Sequence, residues 1–276
     1  MTTTAVVRRR EVIQPGPAEA LGALLGVTVP DLAGEGIPLL WHWLYLLDRP
    51  ATADLGADGH PVRGTIPAPP GSGRRRMWAG GSVTRLAPLR VGEEAVRESV
   101  VESITDKDGR TGRLTFVTVR HRVTQAGRLT VDERQDIVYR DLSPAPTASA
   151  EPEPVVVPAG ADERTIDVTP VLLFRYSALT YNGHRIHYDR EYATLVEGYP
   201  GLVTHGPLQA LAMAEAARAA GLADAPVLTF DYRLVAPLFD DQGLIARAFA
   251  AGGTVTTRVR DRTGRETAHG TLSRHP

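Results

Sequence analysis

Two stretches alternate apolar and polar residues, VTVRHRVTQAGRLTVDERQDIVYR (117–140) and VTTRVRDRTGRETAHGTLS (255–273). A side-chain period of two belongs to a strand with one buried face, and Gly127 and Gly264 fall where each stretch would reverse as a hairpin. A different period governs THGPLQALAMAEAARAAG (204–221), where Leu208, Leu211, Ala212, Met213 and Ala216 gather on or near one helical face. Thr204 or His205 suits its cap, Pro207 its first turn and Gly221 its end. In the N-terminal half, PAEALGALLG (17–26) and PLLWHWLYLL (38–47) compete for the same part.

The halves repeat each other. TRLAPLRVGEE (84–94) resembles YRLVAPLFDDQ (232–242), each a strand followed by Arg-Leu, Ala-Pro-Leu and an acidic turn. Between them, residues 141–165 are rich in Pro, Ala and acidic residues and show no periodicity, as a linker does. The expected division is an N-terminal domain over 1–142, a linker over 143–165 and a C-terminal domain over 166–276. An apolar helix followed by alternating strands packs as an α+β layer, a sheet wrapped around a buried helix, and the duplication sets two such units side by side.

Composition narrows the function classes. With 276 residues, 42% hydrophobic, the chain can build a real core. A net charge of −1 gives no field to recruit nucleic acid or an acidic membrane surface. Cysteine is absent, which excludes disulfides, thiolate catalysis and Cys-ligated zinc. The arginines near the start are followed by no apolar segment of the kind a signal peptide needs, and IPLLWHWLYLL (37–47) is too short to span a bilayer. A cytoplasmic location is expected, with no nucleic-acid or membrane partner. Lys107 is the only lysine, against thirty arginines, so any anion site is built from arginine.

The candidate chemistry lies in FRYSALTYNGHRIHYD (174–189), where His184 and His187 stand three apart after Asn182. On spacing alone these residues fit a surface loop, a catalytic centre or a metal site, although His-x-x-His lacks a clear third zinc ligand. Asn182-Gly183 is also a strong turn signal. Among the aromatic residues Trp41, Trp43 and Tyr45, His42 reads as a satisfied core or interface histidine.

Residues 176–189 resemble the hydratase motif of MaoC-like enoyl-CoA hydratases and hydroxyacyl-thioester dehydratases. Tyr176, Ser177, Leu179, Thr180, Ile186, His187 and Asp189 match it in kind, and the family's catalytic histidine falls on His187. Its aspartate falls on Asn182, its asparagine on His184 and its proline on Arg185. LWHWLYLL, DGHP (58–61), RRMWAGG (75–81), FVTVRH, DIVYR and the 174–189 stretch together resemble the mesaconyl-CoA (3-methylfumaryl-CoA) hydratase branch, which includes mitochondrial type 2 dehydratases.

The resemblance implies a double hot-dog fold and reversible addition of water across an enoyl thioester, best 3-methylfumaryl-CoA giving citramalyl-CoA. It implies no metal or redox cofactor, with a CoA or carrier-protein thioester as substrate and partner. His187 would activate water, Asn182 would orient it or hold the water, His184 would supply a proton-transfer group or shape the site, and Gly206 would offer its N–H to the thioester oxygen. Tyr181, Tyr188, His205, Arg75, Arg76 and Trp78 are the expected substrate contacts, the two arginines for CoA phosphates or a free carboxylate. The first half has no counterpart of the Asn182–His187 motif and is expected to have lost catalysis. A homodimer is compatible with this reading. A dehydratase on a carrier-bound 3-hydroxyacyl thioester, an acyl-CoA thioesterase using Glu215 and a non-catalytic acyl-CoA binder are the alternatives.

Overall fold

The computed structural model describes residues 6–63, 74–109, 112–141, 156–160, 162–251 and 253–275. Most of the expected linker, 143–155 and 161, lies outside these residues. Glu163–Ile166, placed at the linker's end by composition, is instead an edge strand paired with Leu244–Arg247. Four residues are too few to show a period, so only the pairing reveals them.

The alternating stretches form the sheet. In the first half the strands are β1 (Val7–Val12), β2 (Arg74–Arg85), β3 (Glu94–Gly109), β4 (Gly112–Gln125) and β5 (Arg128–Asp141); in the second they are β6 (Glu163–Ile166), β7 (Val227–Leu234), β8 (Leu244–Ala251), β9 (Thr254–Arg260) and β10 (Glu266–His275). All pairings are antiparallel, in the order β1-β3-β4-β5-β2-β7-β10-β9-β8-β6. Thus the two five-stranded sheets of the double hot-dog join edge to edge, through β2 and β7, into one ten-stranded sheet. That junction leaves neither inner edge unpaired.

The repeat is exact in its hydrogen bonds. Leu86 and Ala87 donate to Thr130 O, and Val235 and Ala236 donate to Thr267 O. Leu89 O accepts from Ile37 N, and Leu238 O accepts from Thr204 N, both at 2.7 Å. Ile37 is therefore the counterpart of Thr204, and segment 38–46 stands where helix α3 (Gly206–Ala219) begins. The two N-terminal candidates resolve accordingly. Residues Pro15–Leu25 form α1, the counterpart of α2 (Pro170–Leu179), each following the outer strand of its half. The strongly apolar 38–47 makes only the 3-10 turn Trp41–Leu44, bracketed by left-handed backbone at Leu40 (φ 70°) and Leu46 (φ 56°). Among the described residues a long central helix is present in the second half alone, where Leu208–Ala217 are all buried. Among the described residues no helix is long and apolar enough to cross a membrane.

Side chains of the 3-10 turn lock it in place. Trp41 Nε1 donates to Glu215 Oε1 of α3 at 2.9 Å, and Glu215 is also paired with Arg218. His42 Nε2 donates to Glu133 Oε2 at 3.0 Å, Trp43 Nε1 to Glu133 Oε1 at 2.8 Å, and Gln135 Nε2 to the same oxygen at 2.7 Å. His42 is thus a satisfied core histidine, as expected. Burial pushes the Glu133 carboxyl up, but His42, His121 and Gln135 outweigh it and hold its pKa at about 2. Glu133→Ala would leave the buried His42 and the half-buried Trp43 and Gln135 without their acceptor and is expected to cost about 3 kcal/mol. A urea midpoint unchanged from wild type would remove this residue from the fold's supports.

Candidate active site

Helix α2 starts on Pro170, with Thr169 Oγ1 accepting from Leu172 N at 3.1 Å. It ends where Tyr181 takes a left-handed φ of 51°. Asn182 N then donates to Ser177 O at 2.8 Å, and Asn182 Oδ1 accepts from His184 N at 3.0 Å, an Asx turn. The turn drives the chain inward, burying His184, Ile186 and His187. Asn182 therefore shapes the backbone. Its Oδ1 accepts from His184 N, and it makes no hydrogen bond to His187 among the described residues.

His187 Nδ1 donates to Val203 O at 2.7 Å. A carbonyl can only accept, so the proton sits on Nδ1 and Nε2 keeps its lone pair. Nε2 has no partner among the described residues and is not sealed from solvent. The His187 ring stacks on His205 at 3.6 Å and 18°. His205 in turn shares a 2.9 Å hydrogen bond with Ser177 Oγ through Nε2, and the Tyr176 ring meets it edge-on at 4.8 Å.

The next residue, Gly206, opens α3. His205 caps it with no side-chain hydrogen bond, and Pro207 carries no N–H. The Gly206 N–H has no acceptor among the described residues, as expected for the first position of a helix. A Cβ on Gly206 would lie 2.3 Å from Leu234 Cδ1 and 3.7 Å from Trp78 Cβ, so glycine keeps this donor approachable. His187 therefore stacks on the residue that immediately precedes this donor.

The N-terminal half reaches the same place. Its loop 55–61 folds back on itself through Gly56 N to His60 O at 2.7 Å, and docks on the motif through Arg185 N to Asp58 O at 2.9 Å. Gly59, at φ 83°, touches Gly183 so closely that a Cβ would stand 1.9 Å from Gly183 O. The His60 ring lies 4.0 Å from that of His184, which lies 5.4 Å from that of His187. Four imidazoles, His60, His184, His187 and His205, form one line.

Their electrostatics are uniform. Burial, then the Val203 carbonyl acting in the opposite sense, sets His187 at about 4. His184 and His205 are held well below 6.5 by burial and by neighbouring rings, and His60 below it by burial against the pull of Asp58. At neutral pH the line is uncharged and available to accept protons.

The other expected contacts divide. Tyr181 is 55% exposed and Tyr188 43%, with the Tyr188 hydroxyl donating to Gly183 O, so both stand at the surface of the motif. Arg75 is consumed by Glu197, at 2.8 Å through Nε and 2.6 Å to its carbonyl, and lies over the Tyr199 ring; it is a structural clamp. Arg76 makes no hydrogen bond or ion pair among the described residues, and its charge helps lower His60 and His184. Trp78 Nε1 donates to Tyr232 OH at 2.9 Å beside Gly206. Glu215 is held by Trp41 and Arg218. Tyr176 and Ser177 match the motif but carry no role from sequence, and Asp58 and His60 lie in DGHP, legible only as a likeness, because a loop without periodicity does not show what it docks on.

Comparisons with known proteins give the family and the fold. The sequence profile of the hydroxyacyl-thioester dehydratase type 2 family matches residues 40–240. The chain is 46% identical over 229 residues to mesaconyl-C(4)-CoA hydratase of Chloroflexus aurantiacus, covering 81% of this chain and 79% of that one. It is 25% identical over 273 residues to the mitochondrial hydroxyacyl-thioester dehydratase type 2 of Schizosaccharomyces pombe, covering 87% and 89%. The crystal structure of HtdX from Mycobacterium tuberculosis superposes with a TM-score of 0.69 at 16% identity, over 99% of this chain and all of that one. A second M. tuberculosis protein, described as a double hot-dog, gives 0.57 at 15% identity over 99% and 96%. The chain belongs to the hydroxyacyl-thioester dehydratase type 2 family.

Proposed function

We propose that this protein adds water reversibly across the double bond of an enoyl-CoA, with His187 as the base and the Gly206 N–H as the donor to the thioester oxygen. The observation that carries the reading is the neutral His187, its Nε2 open, stacked on the residue that precedes the free N–H of α3. Water loses a proton to Nε2 as its oxygen bonds to the β-carbon. The π electrons move toward the thioester oxygen, where the Gly206 N–H and the positive end of α3 stabilise the enolate. The enolate then collapses, and His187 returns the proton to the α-carbon. The His187 side chain and the Gly206 backbone N–H complete this cycle, so activity is expected to survive a chelator.

The similarity to a mesaconyl-C(4)-CoA hydratase supports 3-methylfumaryl-CoA as substrate and citramalyl-CoA as product. In that thioester the β-carbon bears a free carboxylate, which must lie close to the attacking water. Arg76, uncommitted and near His184, fits it; Arg75 does not. A bidentate pair from guanidinium to carboxylate contributes about 1.5–3 kcal/mol, so Arg76→Gln is expected to lower kcat/KM for mesaconyl-CoA by roughly 10–100-fold. With crotonyl-CoA, which lacks the carboxylate, the change should stay within about threefold. Equal losses on both would remove Arg76 from substrate selection.

A panel of enoyl-CoAs and carrier-bound enoyl thioesters, followed by loss of enoyl absorbance, tests the reaction itself. Free thiol released without that loss would indicate thioester hydrolysis instead. The structure offers hydrolysis little, because Glu215 is already tied to Trp41 and Arg218.

A further inference from the structure

We propose that Asp58, brought in by the N-terminal half, is the carboxylate of this site, acting through His60 and His184 to hold the charge that His187 gains during turnover. The inference rests on the hydratase reading above. It makes the first half a contributor to catalysis and not only a scaffold.

The geometry is specific. One ligand atom each of Asp58, His60 and His184 lie within 4.8 Å of one another. Asp58 Oδ1 accepts from His60 N at 3.0 Å, and Oδ2 lies 3.4 Å from His60 Nδ1, a nitrogen enclosed by protein with no aligned hydrogen bond. The His184 ring makes no hydrogen bond among the described residues and sits between His60 and His187. The nearby charged groups are otherwise committed or cationic. Glu197 is paired with Arg75, Asp189 with Arg185, and Arg76 adds positive charge. Asn182 carries none. When His187 takes a proton from water, a positive charge forms in a line of imidazoles whose burial resists it. Among the described residues Asp58 is the anion in contact with that line, through His60, and its charge lowers the cost of the step.

The loop that carries it exists only in the first half. In the second half a short connection, residues 220–226, joins α3 to β7; in the first, the chain from the 3-10 turn to β2 is long enough to reach across and dock on Gly183 and Arg185. Asp58 and His60 are positioning residues in this scheme, since neither touches the reacting atoms.

Asp58→Asn tests it, because asparagine keeps Oδ1 as acceptor for His60 N–H and replaces the charged Oδ2 with an uncharged NH2. Enoyl-CoA hydration by this variant should show kcat lowered about 10–100-fold, KM within about twofold, and an unchanged thermal midpoint. The acid limb of the kcat profile should move to lower pH, since losing the anion lowers the pKa of His187. Asp58→Glu, which restores the charge, should recover part of kcat. An unchanged kcat and acid limb in Asp58→Asn, with wild type active on the same substrate, would overturn the inference alone. Wild type inactive on every enoyl thioester would overturn the hydratase reading and this one with it. Wild-type activity lost to a chelator and restored by zinc would assign the three groups to a cation and also overturn it.

Discussion

Replacement of His187 by alanine is expected to abolish hydration of the enoyl-CoA to within measurement, a loss of about 10³-fold or more in kcat, with the fold retained. The ring is small, and its one hydrogen bond holds Val203 O, which can turn to water. A positioned general base contributes about 10²–10⁴-fold, and this site offers no second open nitrogen in the same stacked position. His184 lies perpendicular to His187 and one ring further from Gly206. His205 is on the stack, but its Nε2 is engaged by Ser177 and its Nδ1 is enclosed. Substrate binding should survive, because the CoA thioester does not depend on the imidazole for affinity. The base works only when neutral. With His187 at about 4, activity of the free enzyme should be level through neutral pH and fall as the pH drops through that value. A kcat within tenfold of wild type for His187→Ala would place the base elsewhere.

The second large effect concerns Gly206, and two substitutions separate its roles. Gly206→Pro deletes the N–H while suiting the first turn of a helix, and His205 already has the extended backbone (φ −56°, ψ 131°) that a following proline requires. Loss of one oxyanion donor costs roughly 10²–10³-fold in kcat. Gly206→Ala keeps the N–H but places a Cβ 2.3 Å from Leu234 Cδ1, the far end of a partly buried side chain that can rotate away. It should fold and retain more activity than the proline variant, with the loss appearing chiefly in KM as the approach narrows. If the proline variant hydrated substrate as well as the alanine variant, the donor role of this N–H would be lost.

Much of this arrangement is legible in the sequence. The repeated Ala-Pro-Leu after a strand marks the same hydrogen-bonded corner in both halves, at Thr130 and Thr267. Helix α3 is closely bounded in the sequence, because Pro207 and Gly221 bracket a helical run that tertiary contacts leave intact. The first half misled because its most apolar segment, 38–47, has the composition of a central helix. Its conformation is set by partners distant in sequence: Trp41 by Glu215, His42 and Trp43 by Glu133. Local propensity carries no information about such partners. The same limit applies to the site. His187 and Gly206 stand in motifs that periodicity and spacing expose, whereas Asp58 and His60 lie in a loop, and only its docking on Gly183 gives them a role. Adjacent arginines likewise cannot be told apart by type. Their alternation on β2 sends Arg75 to Glu197 and leaves Arg76 uncommitted, a distinction made by the partner strand and loop.

The central claim is geometric, and a crystal structure of the His187→Gln protein with intact mesaconyl-CoA bound tests it most directly. The thioester oxygen is predicted at about 2.7–3.1 Å from Gly206 N, with the β-carbon turned toward the side chain at position 187. A thioester lying elsewhere, with Gly206 N–H bonded to water or protein and position 187 remote from the double bond, would contradict the account.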